Sequence, residues 1–254
     1  MMLEGKRVLV TAGRSRLGRV LVDELEARGA HVIMTTRDRA AAEDFNRSSA
    51  KAGRKARAAC LLFRDDEEVR GFAAGVIAEH GAVHGLVNNA YAELPFRPLG
   101  SIPWSHWSES IQVGVAAIET LASALLAALP SGGLSSVVNI GSIYAHHAPQ
   151  TSMYPPGHDP SPIYYGATKA ALLAATRYLA AAWAPRGVRV NSVSAGGIAT
   201  HQDPEFLARY CATVPAGRMV EAREVAAVIA FLLTDEATGV TGADYLVDAG
   251  RSVW

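Results

Sequence analysis

Short runs of β-branched and apolar residues alternate along the chain with longer segments in which apolar residues recur every three or four positions. The first kind has the continuity of a buried strand, the second the period of an amphipathic helix. Arg7–Thr11 (RVLVT) reads as a strand and Leu17–Arg28 as a helix; His31–Thr36 (HVIMTT) is a second strand, followed by a helix over 40–52. A third strand is expected over Arg57–Phe63 and a fourth over Val83–Asn88. Between them Asp65–His80 predicts a helix whose acidic start suits the positive end of its dipole. Trp104–Ala128 predicts one long helix ended by Pro130 and Gly132-Gly133, with Trp104 and Trp107 packed under it. Strands over Val137–Ile140 and Val188–Val193 flank a helix over Pro162–Trp183, and a helix over Glu221–Thr234 precedes a last strand over Asp244–Val247.

Strands that alternate with helices of ten residues or more require crossover connections, and so a parallel sheet covered on both faces. The near-continuous apolar character of RVLVT and SVVNI fits strands buried on both faces. The expected fold is α/β: a Rossmann-type doubly wound fold with a mainly parallel seven-stranded sheet. No repeat, low-complexity block or Pro/Gly/Ser-rich linker divides the 254 residues, so one domain over 1–254 is expected. The irregular stretch Ala145–Pro162, with five prolines and three histidines, is expected to be a functional loop.

Composition narrows the function classes. Lys+Arg and Asp+Glu both number 24, so the basic footprint of a nucleic-acid binder is missing. Two cysteines, Cys60 and Cys211, make neither a disulfide framework nor a zinc site of the CxxC kind. The Ala-rich run over 167–184 is broken by Lys169 and Arg177, and the N-terminus shows no long apolar stretch. A cytoplasmic protein without a membrane partner is expected.

Two candidate sites carry chemistry. The first strand runs into Thr11-Ala12-Gly13-Arg14-Ser15-Arg16-Leu17-Gly18 and then a helix. At the carboxyl edge of a parallel sheet, such a turn can hold a pyrophosphate on backbone N–H groups and the helix dipole. Arg14 and Arg16 would add charge. A strand–turn–helix with glycine is common, so this motif is weak alone. The second strand ends in Thr36-Arg37, where a carboxylate would select the ribose of NAD; a guanidinium favours the 2′-phosphate of NADP, with NAD as the alternative. In the second site Ser142 follows a strand, while Tyr165 and Lys169 lie four apart on one helix face. A tyrosine, with a pKa near about 10, handles protons poorly at neutral pH unless a neighbouring ammonium stabilises the phenolate. A serine hydroxyl beside it can hold a carbonyl oxygen.

Taken together, these pieces resemble the classical short-chain dehydrogenase/reductase family over nearly the whole chain. Thr11–Gly18 corresponds to the cofactor loop and Asn88-Asn89-Ala90 follows the fourth strand. Asn139-Ile140-Gly141-Ser142 carries the serine, and Tyr165-Gly166-Ala167-Thr168-Lys169 the tyrosine and lysine. Val190–Val193 then runs into Ala195–Thr200, and Thr241-Gly242 leads to Val247–Gly250. The resemblance implies proton transfer by Tyr165, substrate orientation by Ser142, and ribose binding with a lowered Tyr165 pKa from Lys169. It also implies that Asn89, Ala90, Ile198 and Thr200 line the cofactor, and that copies assemble as dimers or tetramers through the two long helices. Several positions depart from the pattern: Ala12 and Arg16 replace loop glycines, Leu62 an aspartate, Tyr91 a glycine, Gly114 an asparagine and Ala195 a proline. Tyr91 and the long Ser142–Tyr165 spacing are similar to a subgroup of reductases associated with sugar modification of surface glycans and flagellin.

The predicted activity is NADP(H)-dependent interconversion of a secondary alcohol and a ketone or aldehyde, with a small-molecule substrate held by Tyr91–Pro98, Ala145–Ile163 and the 199–215 segment. Two alternatives are lyase- or dehalogenase-like chemistry on the same scaffold, which the altered loop favours, and nucleotide sensing without turnover. His146-His147 with His158-Asp159 lacks a fixed ligand spacing, so a polar substrate-facing loop is preferred to a metal site. A hydrolase nucleophile at Ser142 would need glycines where Ile140 and Tyr144 stand.

Overall fold

The computed structural model describes residues 2–128, 133–157 and 159–253; Pro130, Gly132 and His158 lie outside them. The strands are β1 (Arg7–Val10), β2 (His31–Thr36), β3 (Arg57–Cys60), β4 (Gly85–Asn88), β5 (Ser136–Ser142), β6 (Arg189–Ala195) and β7 (Asp244–Val247). They form one sheet in the order β3-β2-β1-β4-β5-β6-β7, every pair parallel. Strand order reverses between β1 and β4, where a doubly wound sheet opens a crevice at its carboxyl edge. Alternation along β1 sends Val8 and Val10 to one face and Leu9 to the other. The first face packs against α1 (Arg16–Ala27), α2 (Arg39–Lys51) and α8 (Ala222–Leu233); the second packs against α3 (Asp66–His80), α5 (Ala117–Ala128) and α6 (Ile163–Trp183).

Four local features differ from the sequence-based expectation. The β3 strand stops at Cys60, and two residues of non-ladder chain lead to a left-handed turn at Phe63, φ 62°. The predicted long helix runs from Trp104 to Ala128 as expected, but a π-helical turn over Gln112–Ala116 divides it into α4 (Trp104–Ile111) and α5. The segment after β6 is not all loop: α7 (Pro204–Cys211) begins with Asp203 accepting from the Glu205 and Phe206 N–H groups. Trp104 does not pack under the helix; it is 89% exposed, whereas Trp107 packs edge-on against Tyr164. The Trp104–Ala128 run is long and apolar enough to cross a bilayer, but Leu121, Ala122, Leu125 and Leu126 are buried against the sheet.

Candidate active site

A groove of about 910 Å³ follows the carboxyl edge of the sheet, from the β1–α1 turn to the β5 end and across to the segment after β6. At its nucleotide end the turn is shaped by backbone contacts. Ser15 caps α1, its Oγ accepting from Gly18 N at 3.1 Å and from Asn89 Nδ2 at 3.0 Å. The first-turn amides of α1 that this cap does not satisfy are the groups a helix offers to an anion. Asn89 also donates to the Thr11 and Ala12 carbonyls, and Thr11 Oγ1 accepts from the N–H groups of Asn89 and Ala90, both at 2.9 Å. Thr11 and Gly13 therefore lie behind the groove wall and not on it. A Cβ at Gly13 would meet Met34 at 2.4 Å, and one at Gly18 the Ala12 carbonyl at 2.4 Å, so only glycine lets the turn close onto the strands. Ala12 adopts φ 50°, with its N–H donating to Thr35 Oγ1 at 3.0 Å.

Arg14, Arg16, Leu17, Arg37, Asn89 and Ala90 line the groove as expected. Arg37 is exposed at the β2 end and forms no ion pair among the described residues. Beside it stands Asp38, a carboxylate on the groove that sequence reasoning passed over; its Oδ1 accepts from Ala41 N at 3.1 Å as the cap of α2. Arg16 reaches across the groove, its Nη1 donating to Thr200 Oγ1 at 3.2 Å. At the β3 end Leu62 is on the groove and the strained Phe63 is held from both sides. Glu68 accepts from Leu62 N and Arg64 N, and Gln112 donates to the Phe63 and Arg64 carbonyls.

The three residues expected to act together converge at the other end. Ser142 closes β5 and is buried; its Oγ accepts from Tyr144 N at 3.2 Å and lies close enough to the Tyr165 hydroxyl to favour its ionised form. Lys169 is also buried, with Nζ donating to the Ile140 carbonyl at 2.6 Å and lying 5.7 Å from the Tyr165 ring centroid. Burial lowers the Lys169 pKa to about 8. Desolvation holds the Tyr165 phenol above its ordinary value, against the opposing hydrogen bond from Ser142, and the phenol of Tyr91 adds to the rise. This differs from the expected lowering by Lys169: the ammonium faces the ring and an Ile140 carbonyl, while desolvation acts on the phenol directly.

Gly114 sits in the π-helical turn against α6. A Cβ there would meet Thr168 Cγ2 at 2.5 Å, one residue before Lys169, so the space an asparagine would fill is taken by α6. Below the turn, Ser110 and Thr168 share a 2.8 Å hydrogen bond. The far end of the groove is walled by Tyr91–Leu94, Tyr144, Pro162, Phe206, Tyr210 and Met219, and Ile198 and Thr200 also line it, Thr200 beside Arg16. The proline-rich loop contributes less than expected: His146–Pro149 face a separate hollow of about 360 Å³ beside α6. There His146 Nε2 lies 2.8 Å from Asp244 Oδ2, and His147 packs edge-on against Tyr144. Among the described residues no three His, Cys, Asp or Glu side chains gather as metal ligands.

The donors fit a dinucleotide: a capped helix start facing the groove, a glycine-closed turn, arginines without an ion pair among the described residues, and a serine–tyrosine–lysine set at the far end. A family model described as enoyl-(acyl carrier protein) reductase matches residues 11–252. The chain belongs to the classical short-chain dehydrogenase/reductase family. It is an oxidoreductase that acts on alcohol or ketone groups with NAD(P). A 3-oxoacyl-[acyl-carrier-protein] reductase of Haemophilus influenzae is 30% identical over 252 residues, 98% of each chain. Galactitol 2-dehydrogenase (L-tagatose-forming) of Cereibacter sphaeroides is 31% identical, covering 99% of this chain and 97% of its own. The structure of a gluconate 5-dehydrogenase from Burkholderia cenocepacia in complex with NADP and tartrate superposes with a TM-score of 0.88 at 26% identity, covering 99% of this chain and 97% of its own. Non-redox chemistry and nucleotide sensing give way to this reading.

Proposed function

We propose that the chain is an NADP(H)-dependent reductase or dehydrogenase of a secondary alcohol, with Tyr165 as general acid and base, Ser142 as orienting donor and Lys169 as ribose ligand. The observation that carries this is the meeting of the Tyr165 hydroxyl with Ser142, above a buried ammonium, in the groove that begins at the α1 N-terminus. When bound, the dinucleotide supplies or takes the hydride. In reduction the Tyr165 hydroxyl delivers its proton to the oxygen that Ser142 holds; in oxidation the same oxygen returns it. A phenol held above its ordinary pKa is protonated at neutral pH, the form that carbonyl reduction needs. The exposed Arg37, which has no ion pair among the described residues, supports NADP; Asp38, committed to capping α2, is the feature that favours NAD. Ala12 and Arg16, where the family pattern has glycines, support reading the cofactor loop as atypical for the family.

The substrate we infer is a small, partly polar carbonyl or alcohol, given a wall that mixes Tyr144, Phe206, Tyr210 and Met219. Exposed Trp104, Ile163 and Tyr178 on the α4 and α6 surfaces support assembly of copies into a dimer or tetramer, working in the cytoplasm as one domain per chain. Tyr165→Phe tests the chemical assignment. Turnover with NADPH over a panel of ketones should fall by about 10²–10⁴-fold, with NADPH still quenching or enhancing fluorescence at the same concentration. Full activity in that variant would remove Tyr165 from the chemistry.

A further inference from the structure

Tyr164 and Tyr165 are neighbours on α6 with different duties. Tyr164 is buried, and its hydroxyl donates to the Leu94 and Pro95 carbonyls at 3.2 and 3.3 Å. His106 and Trp107 of α4 pack edge-on against its ring, with centroids 5.7 and 6.5 Å away. Tyr164 thereby ties the segment after β4 to the helix that carries Tyr165. The start of the same segment is pinned to the β1 turn through Asn89 and Ala90, both bonded to Thr11. Between these anchors Tyr91 sets its ring edge-on to Tyr165, with centroids 5.9 Å apart and planes at 75°. Aromatic pairs prefer that geometry because the positive edge of one ring meets the negative face of the other. On its outer side the Tyr91 phenol feels Glu93, Arg16 and Arg37, so the ring spans from the dinucleotide arginines to the proton-transfer end.

We propose that Tyr91 is a positioning residue for proton transfer: its ring fixes the orientation of Tyr165 and keeps bulk water from the Tyr165 side of the groove. The proposal rests on Tyr165 being the proton-transfer group. It follows that Tyr91 helps hold the Tyr165 phenol protonated, since a ring packed edge-on that excludes water disfavours ionisation of the phenol beside it. Removing the ring should therefore lower the Tyr165 pKa, whereas a phenylalanine keeps the packing and most of the effect.

The experiment reads the phenol directly and needs no substrate. Tyrosinate absorbance is titrated in the full chain with NADP⁺ present, and the spectrum of the same protein carrying Tyr165→Phe is subtracted. In Tyr91→Ala the Tyr165 midpoint should fall by about half to one pH unit. In Tyr91→Phe it should stay with the wild type. NADPH affinity should change less than about twofold in both, as expected for a residue that acts through Tyr165. Tyr91 is 47% exposed, so both variants should fold with unchanged circular dichroism. Coincident titrations of Tyr91→Ala and wild type, or a shift upward, would overturn the proposal. So would weakened NADPH binding with an unmoved midpoint, which makes Tyr91 a wall of the nucleotide site. The chemical assignment fails separately, through an active Tyr165→Phe.

Discussion

At the nucleotide end of the groove the side chains are exposed or replaceable and the backbone sets the shape: Ala12 takes φ 50°, Gly13 and Gly18 close onto neighbouring atoms, and Ser15 and Asn89 bond main-chain groups. At the proton-transfer end the backbone is ordinary strand and helix, and the side chains carry the design: Ser142 and Lys169 are buried and Tyr165 is desolvated. The contrast shows which substitutions each end tolerates. A turn held by main-chain hydrogen bonds has room for side chains such as those of Ala12 and Arg16. A proton-transfer set has no such redundancy, because its function is the chemistry of particular atoms.

Lys169 offers the sharpest break in that comparison. Among the described residues its buried ammonium has one acceptor, Ile140 O, and no carboxylate partner. Lys169→Met should reduce turnover by about a hundredfold or more, within the range for acid–base machinery. Stability should move the opposite way. The folded pKa of about 8 lies below the ordinary 10.5, so between those values the unfolded chain binds more protons and wild-type stability rises with pH. Below pH 8 the buried charge costs up to roughly 3 kcal/mol, the equivalent of the lowered pKa. Lys169→Met, freed of that cost, should match or exceed the wild-type melting temperature at pH 7, with the gap closing by pH 10.5. A variant much less stable at pH 7 would mean the ammonium is satisfied in the fold, and the argument for a poised, costly site would collapse.

Arg37 tests the other end, where an exposed charge should be exchangeable without harm to the fold. Pairing a 2′-phosphate with a guanidinium is worth about 1.5–3 kcal/mol, so Arg37→Asp should weaken NADPH roughly 10- to 100-fold. NADH should bind equally well or better, with no change in melting temperature. Equal ratios of NADPH to NADH affinity in variant and wild type would discard Arg37 as the reader and turn attention to Asp38.

The same division explains what was legible in the sequence. Strand and helix periods placed Ser142 at a sheet edge and Tyr165 and Lys169 on one helix face, because those positions follow from local geometry. The sequence could also have shown Ser15 and Asp38 as helix caps, since each is an Asp or Ser just before a helical run. Other features depend on pieces of chain far apart. Phe63 is forced into a left-handed turn by Glu68 and Gln112, and Gly114 is required by Thr168 across a helix pair. The direction of the Tyr165 shift was not legible either. Spacing brings the ammonium near the phenol, but only packing reveals the desolvation that raises its pKa.

The smallest predicted effect isolates the backbone claim. Ala12 is a non-glycine residue at φ 50°, a conformation that costs roughly 1–2 kcal/mol for an L-residue with a side chain. Its N–H is tied to Thr35 Oγ1 and the next N–H to Thr35 O, so the turn cannot relax away from it. Ala12→Gly should then stabilise the fold by about 1 kcal/mol after the extra freedom of glycine in the unfolded chain is counted. For a chain of this size that raises the melting temperature by about 2–4 °C. The NADPH affinity should stay within about twofold, because the main-chain groups around the turn remain where Thr35, Asn89 and Ser15 hold them. An unchanged or lower melting temperature would show that the left-handed residue is unstrained, and that the alanine itself, packed in the turn, shapes the nucleotide end.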